Sequence, residues 1–191
     1  MNILIVGVGG QGVIMASDIL ADVALAAGFD AKKSEVHGMS QRGGIVSSHV
    51  RYGDKIYSPL IAKGQAEILI SFELAEALRW QDYLTPTGQI IVSRIRLVPP
   101  VVTMGMAEYP DQAEKHLAGA KPIVMDALAM AAGLGNPRLV NTILLGIASN
   151  FMDLPLEKWN ETIRNRVKSE LADINCHAFA AGRKAETNIP L

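Results

Sequence analysis

A chain of 191 residues that is 49% hydrophobic and 19% charged has material for one buried core, which excludes it from the disordered class. Its 18 basic and 19 acidic residues leave a net charge of −1, so no global field favours nucleic acid or an anionic membrane. The single cysteine, Cys176, excludes an internal disulfide and any four-cysteine zinc or iron–sulfur site built by this chain alone.

Residues 2–6 (NILIV) are branched and apolar, as in a buried parallel strand. Glycines follow, and residues 11–27 carry Ile14, Met15, Ile19, Leu20, Val23 and Ala27 at helical spacing, with Gly28 placed for a C-cap. Residues 31–36 read as a second strand and 37–44 (HGMSQRGG) as a loop. Residues 45–52, a turn at Gly53-Asp54 and residues 55–58 read as a hairpin insertion. Residues 67–72 read as a buried strand, 73–84 as a helix, 85–88 as a turn and 89–93 as a strand. Residues 101–104 are a further candidate strand, and 122–125 form a short one. Helices follow at 126–133 and 138–150, separated by the break at 133–137. From Pro155 one long amphipathic helix is expected to about Gly182, with Leu156, Trp159, Ile163, Val167, Leu171, Ile174 and Ala178 forming a continuous stripe that covers the sheet.

The expected architecture is a single α/β domain, 1–191, with a Rossmann-like, mainly parallel sheet flanked by helices. It carries a hairpin insertion and a long C-terminal helix. No apolar run reaches about 18 residues, the length of a membrane span. No basic region precedes the apolar start. The cytoplasm is the expected compartment.

Gly7, Gly9 and Gly12 form G-x-G-x-x-G between a strand and a helix, the context that dinucleotide binding requires. Such glycines allow a tight turn, close backbone approach and close helix–strand packing. The helix start favours an anion. Asp30, 18 residues after Gly12, stands near where a ribose-binding acid would sit. The alternative is a turn whose glycines serve geometry alone.

The segment HGMSQRGG combines Ser40, Gln41 and Arg42 with Gly43 and Gly44. Arg42 has the chemistry to hold a carboxylate or phosphate bidentately, although a solvated polar loop has the same composition. His37, His49, His116 and His177 lack metal-ligand spacing. Cys176 reads as a packed or surface thiol rather than a nucleophile. Asp126 reads as a helix N-cap as readily as a catalytic acid.

The glycine turn (Gly7, Gly9, Gly10, Gln11 and Gly12) followed by EVHGMSQRGG at 35–44 resembles the gamma domain of the 2-oxoacid:ferredoxin oxidoreductases. Asn141 with Leu144, Leu145 and Gly146 resembles that family's N-x-x-L-L-G stretch. Asn175, Ala178, Phe179 and Gly182 resemble its closing N-x-x-A-F-x-x-G. The resemblance spans essentially the whole chain, and the free-standing length with PPVVTMGMAEYP at 99–110 is similar to the indolepyruvate type.

The resemblance implies a subunit of an enzyme that oxidatively decarboxylates a 2-oxo acid, here an arylpyruvate such as indolepyruvate, to an acyl-CoA. Thiamine diphosphate carries the carbanion chemistry, and electrons pass through iron–sulfur clusters to ferredoxin. One cysteine cannot hold a [4Fe–4S] cluster, so thiamine diphosphate, magnesium and the clusters are expected on a larger partner subunit. CoA is a co-substrate, and no cofactor is expected on this chain alone. The binding residues implied are Gly7, Gly9, Gly10, Gln11, Gly12, Ser40, Gln41, Arg42, Gly43, Gly44 and Asn141. They would contact a substrate carboxylate or a phosphate of thiamine diphosphate or CoA. The isolated chain is a candidate homodimer. An independent Rossmann-type nucleotide-binding oxidoreductase and a purely structural assembly subunit stand as alternatives.

Overall fold

The computed structural model describes residues 1–37, 44–98, 100–106, 108–110, 112–117 and 121–185. Its centre is a six-stranded sheet in the order β2-β3-β1-β4-β5-β6. The strands are β1 (Asn2–Val8), β2 (Asp30–His37), β3 (Ile45–Gly53), β4 (Ala66–Ser71), β5 (Leu84–Ser93) and β6 (Ile123–Met125). β1, β4, β5 and β6 pair in parallel. β3 runs antiparallel to both β1 and β2.

Period-two alternation sorts the side chains of the parallel strands between two faces. Ile3, Ile5, Ile68, Ile70, Ile91, Ile123 and Met125 enter one core. Leu4, Val6, Leu69, Ile90, Val92 and Val124 enter the other. The first core lies under α1 (Val13–Ala26) and α6 (Val140–Ala148). The second lies under α2 (Leu74–Trp80) and α4 (Ala113–Leu117). Both faces of the parallel half are therefore covered, which explains its continuous apolar runs.

The mainly parallel α/β architecture follows the sequence, but several local expectations do not. The hairpin joins β2 to β3, and residues 55–58 form no strand. Side chains take the hydrogen-bonding groups of that segment instead. Asp30 accepts from the Ile56 N–H at 2.8 Å, and Arg51 donates to the carbonyls of Ser58 and Leu60. Residues 85–88 lie within β5 as an irregularity, where the register moves from Ala66↔Leu84 to Ile68↔Gln89. The candidate strand at 101–104 is a short helix, α3 (Pro100–Thr103), opened by a proline whose fixed φ suits a first helical position.

Helix α1 buries Val13, Ala16, Ile19, Leu20, Val23 and Ala24, whereas Ile14 and Met15 are exposed. The C-terminal helix is not continuous. It divides into α7 (Leu156–Arg166) and α8 (Ala172–Lys184), because Val167 and Lys168 adopt extended backbone. Nor does it cover the sheet directly: α7 packs mainly on α1, and α8 on α6. Trp159 of α7 is fully buried and stacks on Phe179 of α8 with ring centroids 5.1 Å apart. Among the described residues, no helix is long and apolar enough to cross a membrane.

Candidate functional site at the glycine turn

The turn between β1 and α1 lies at the carboxyl end of β1, where open α/β sheets bind ligands. Gly10 and Gly12 have φ of +102° and +90°, a region that side-chain-bearing residues avoid. Gly7 is required for a different reason. A Cβ there would come within 2.8–2.9 Å of Gln11 Oε1, Phe72 Cβ and Val13 Cγ2.

The space that Gly7 leaves is taken by Gln11. Its Oε1 accepts from the Val8 N–H at 2.7 Å, and its Nε2 donates to the Phe72 carbonyl at 2.9 Å. The side chain thus ties the ends of β1 and β4 together from within the turn. The Gly9 N–H donates to the Gly44 carbonyl at 2.8 Å, which brings the end of the HGMSQRGG segment against the turn. Ser40, Gln41, Arg42 and Gly43 lie outside the described residues. Asn141, near the start of α6, faces the turn from the other side. Its Nδ2 lies 3.2 Å from where a Cβ on Gly12 would be, and its Oδ1 accepts from the Thr142 N–H at 2.8 Å.

Asp30 is placed elsewhere. It opens β2 opposite Gly53, while the far end of that hairpin, His37 opposite Val46, is the end nearest the glycines. Its carboxylate is occupied by the Ile56 N–H and Lys32, which hold it below the usual carboxylate range. The strand beside β1 is β3, not β2. The ribose-binding acid that the glycine fingerprint suggested is therefore absent from that end of β2.

Beside the turn is a cavity of about 700 Å³. Gly10, Gln11, Gly12 and Met15 form one wall. Asn136, Arg138, Asn141 and Thr142 form a second, and Arg166, Lys168, Leu171 and Asn175 a third. The second wall is set by Asn136, whose side chain accepts from the Arg138 N–H and caps the turn Pro137–Leu139 ahead of α6. Thr142 donates to Asn175 at 2.8 Å and so joins α6 to α8. The third wall exists because the chain breaks between α7 and α8.

The family model for pyruvate ferredoxin/flavodoxin oxidoreductase matches residues 2–185. The chain belongs to that family. Indolepyruvate oxidoreductase subunit IorB of Thermococcus kodakarensis is 41% identical to it over 192 residues, covering 96% of this chain and 95% of that protein. The IorB subunit of Pyrococcus horikoshii is 40% identical over 192 residues, with the same shares covered. The crystal structure of the keto/oxoacid ferredoxin oxidoreductase gamma subunit from Geobacter sulfurreducens superposes with a TM-score of 0.70 at 20% identity, covering 95% of each chain. That likeness establishes the fold.

Within this family member, the two motif stretches beyond the glycine turn have a structural meaning. Gly146 and Gly182 lie where α6 crosses α8. A Cβ on Gly146 would stand 2.2 Å from the Phe179 carbonyl oxygen, and one on Gly182 would stand 2.2 Å from that of Ile143. The crossing holds Asn141 and Asn175 at the cavity.

Other candidates have structural roles. Asp126 caps α5 (Ala127–Gly133) by accepting from the Ala129 N–H at 2.9 Å. Cys176 is buried in the first core, and burial raises its thiol above the ordinary value. His49 is buried beside Trp80 and Tyr83, accepts from the Ile61 N–H at 3.1 Å, and is lowered by burial.

Sequence reasoning missed Arg138, Arg166 and Lys168 as cavity residues. The Asn-Pro break signals the first of them. The others become neighbours of the turn only through the α7–α8 break, which an uninterrupted apolar stripe conceals. It also missed Glu73 as a buried clamp. This residue caps α2, accepting from the Glu76 N–H, and its other oxygen accepts from the Leu97 N–H and the Tyr109 hydroxyl. Arg96 stacks over the Tyr109 ring at 4.2 Å. Burial first and the bond to Glu73 second push the Tyr109 hydroxyl well above its ordinary value.

Proposed function

We infer that this chain is the smaller subunit of an indolepyruvate-type 2-oxoacid:ferredoxin oxidoreductase. The observation that carries this reading is the end-to-end match to two IorB subunits at 40% identity or more. The reaction takes a 2-oxo acid and CoA to an acyl-CoA and CO₂, releasing a proton and two electrons to ferredoxin. The arylpyruvate is the substrate, indolepyruvate first among them.

Thiamine diphosphate, magnesium and the [4Fe–4S] clusters reside on a larger partner subunit. A [4Fe–4S] cluster takes four thiolates, whereas the one cysteine here is packed among apolar side chains. Among the described residues no group of three or more His, Cys, Asp or Glu is placed to hold a metal. On this reading the chain is an accessory subunit, inactive alone, of a complex that works in the cytoplasm.

Its contribution to the shared active site is the edge formed by Gly7, Gly9, Gly10, Gln11, Gly12, Gly44 and Asn141, together with Ser40, Gln41, Arg42 and Gly43. Arg42 would hold a carboxylate or phosphate of substrate, thiamine diphosphate or CoA. Co-purification from the native cell tests the assembly: a cluster-containing partner that turns over indolepyruvate with CoA is expected. A chain recovered alone refutes it. In the assembled enzyme, Arg42→Ala should lower kcat/KM for the 2-oxo acid or for CoA while the complex stays intact. Unchanged kinetics with both varied would remove the assigned role, and loss of assembly alone would make the loop a structural element.

A further inference from the structure

We propose that the outer edge of β2 is a docking surface for a second copy of this chain, paired antiparallel about a two-fold axis at Ser34. Among the described residues the sheet ends at β2, so one side of that strand carries main-chain groups with no ladder partner. The hydrogen bonding of β3 identifies them. Met1 and Tyr52 exchange both of their backbone bonds, so alternate residues of β3 from Tyr52 back to Val46 turn their main-chain groups toward β1. Gly53, Arg51, His49 and Ser47 face β2 instead, opposite Asp30, Lys32, Ser34 and Val36. The N–H and C=O groups of Ala31, Lys33, Glu35 and His37 therefore point away from the sheet. Proline and bulges, which close such edges, are missing: residues 30–37 contain no proline, and their register with β3 is unbroken. The lysines of the strand are neutralised within the chain, Lys32 by Asp30 and Lys33 by Asp18 and Glu35.

The residues of the strand select one register. Two copies of β2 bond through their main chains only where outward-facing residues meet, which places a central two-fold axis at Lys33, Ser34 or Glu35. An axis at Lys33 sets that lysine against its own copy, and an axis at Glu35 sets two carboxylates together. Like charges directly opposite destabilise a strand pair. An axis at Ser34 sets Lys33 opposite Glu35 of the second copy, and Glu35 opposite its Lys33. It also pairs Ala31 with His37, so every outward-facing residue finds a partner, whereas each of the other axes leaves one unpaired. Lys33 and Glu35 already share the α1 face with Asp18, to which Lys33 also donates. The crossed ion pairs thus extend a network that each copy holds ready. On the opposite face Lys32 comes beside Val36 of the second copy, an exposed apolar side chain that a lysine stem covers.

The two sheets would then run on as one, and the inference stands independently of the functional reading. Sedimentation of the full isolated chain tests it, and a mass of two chains at micromolar concentration is expected. Glu35→Lys places like charges across the axis twice and should weaken the dimer about tenfold or more. Cysteine cross-linking reads the register. Ser34 meets its own copy in a pair without main-chain bonds, where Cα atoms lie about 4.5 Å apart, within reach of a disulfide. Ser34→Cys should therefore give a covalent dimer on mild oxidation, and Lys33→Cys and Glu35→Cys should not. The native Cys176 is buried, and the parent chain measures its background.

A parent chain that sediments as a monomer overturns the proposal. So does a dimer that Glu35→Lys leaves at full affinity, since the contact would then lie elsewhere. Should Glu35→Lys fail to fold, the Ser34→Cys cross-link decides alone, and its absence overturns the edge pairing. A cross-link from Lys33→Cys or Glu35→Cys in place of Ser34→Cys overturns the register and the charge argument with it. The subunit reading fails on a separate readout, the absence of a cluster-carrying partner.

Discussion

The crossing of α6 and α8 gives the sharpest quantitative test of the fold. Alanine at Gly146 would place a Cβ 2.2 Å from the Phe179 carbonyl oxygen and 3.0 Å from its carbon. Alanine at Gly182 would meet the Ile143 carbonyl at the same distances. The obstructing atoms are backbone, so no rotamer change relieves the contact, and the helices must separate by about 1 Å to restore ordinary van der Waals distance. Overpacking of this kind costs about 1–3 kcal/mol, and the backbone clash places these variants at the upper end. Alanine recovers up to about 1 kcal/mol of helix propensity. The net expectation is a loss of about 2 kcal/mol, or about 4–8 °C in Tm for a chain of this size. Gly133 is the control. It ends α5, nothing lies within 4 Å of its hypothetical Cβ, and its φ is not positive. Gly133→Ala should therefore be neutral or slightly stabilising. Calorimetry of the three variants decides the matter. A Gly146→Ala protein as stable as the Gly133→Ala protein would refute the close crossing, and with it the placement of Asn141 and Asn175 at the cavity. The double variant should cost less than the sum, because the two glycines relieve one shared contact.

Other variants probe single interactions. Gln11→Leu removes the partners of the Val8 N–H and the Phe72 carbonyl. It should cost about 1–3 kcal/mol, as for buried polar groups left unpaired, and a chemical-denaturation midpoint equal to the parent's would contradict the bracing role. Glu73→Ala leaves the Leu97 N–H, the Glu76 N–H and the Tyr109 hydroxyl without their acceptor. Amide exchange should accelerate across 95–117 with a stability loss of about 2 kcal/mol or more, and unchanged exchange there would refute the clamp. His49 should make stability depend on pH. Its folded-state value lies below the ordinary 6.5 because burial favours the neutral ring. The unfolded chain therefore binds a proton first as pH falls. Its contribution is fully present above about pH 6.5 and declines from there down to the folded value. Ring-carbon NMR titration should show His49 gaining its proton at a lower pH than a free imidazole, and a normal titration would refute the assignment.

Legibility followed the range of the interactions. The parallel strands were readable because both faces are buried, so every residue in 3–6, 68–70 and 90–92 enters one core or the other. The second strand and its partner were harder. Asp30, Lys32, Lys33 and Glu35 satisfy one another and neighbouring elements through ion pairs that leave no hydrophobic period to read. The split between α7 and α8 leaves no local mark either. Val167 and Leu171 keep the helical spacing, but the extended backbone at Val167 and Lys168 turns the chain. That turn is stabilised by α7 packing on α1, more than a hundred residues away in sequence, and by α8 packing on α6. Since the cavity's third wall depends on it, Arg166 and Lys168 could not be linked to the glycine turn from sequence. Gly12 and Asn141, by contrast, were assigned to one end of the sheet and are neighbours there.

The glycine fingerprint shows why a motif must be read with its context. In this chain Gly7 of the fingerprint answers a demand for close packing and Gly12 one for left-handed φ, which the intervening Gly10 also adopts. None of these demands specifies a dinucleotide. Specificity for one comes from an acid at the end of the strand next to β1. Here that neighbour is the antiparallel β3, whose end beside the turn is Ile45. Asp30 opens β2, which runs in the same direction as β1 with β3 between them, so its carboxylate lies at the end of the sheet away from the turn, where it ties down residue 56 instead. Gln11 then fills the interior of the turn with a side-chain amide bonded to two strand ends. The open side of the turn faces Asn141 and α6, the wall that carries Asn136, Arg138 and Asn141. The strand–glycine–helix unit thus opens onto the cavity on its α6 side, with Asp30 at the far end of the sheet.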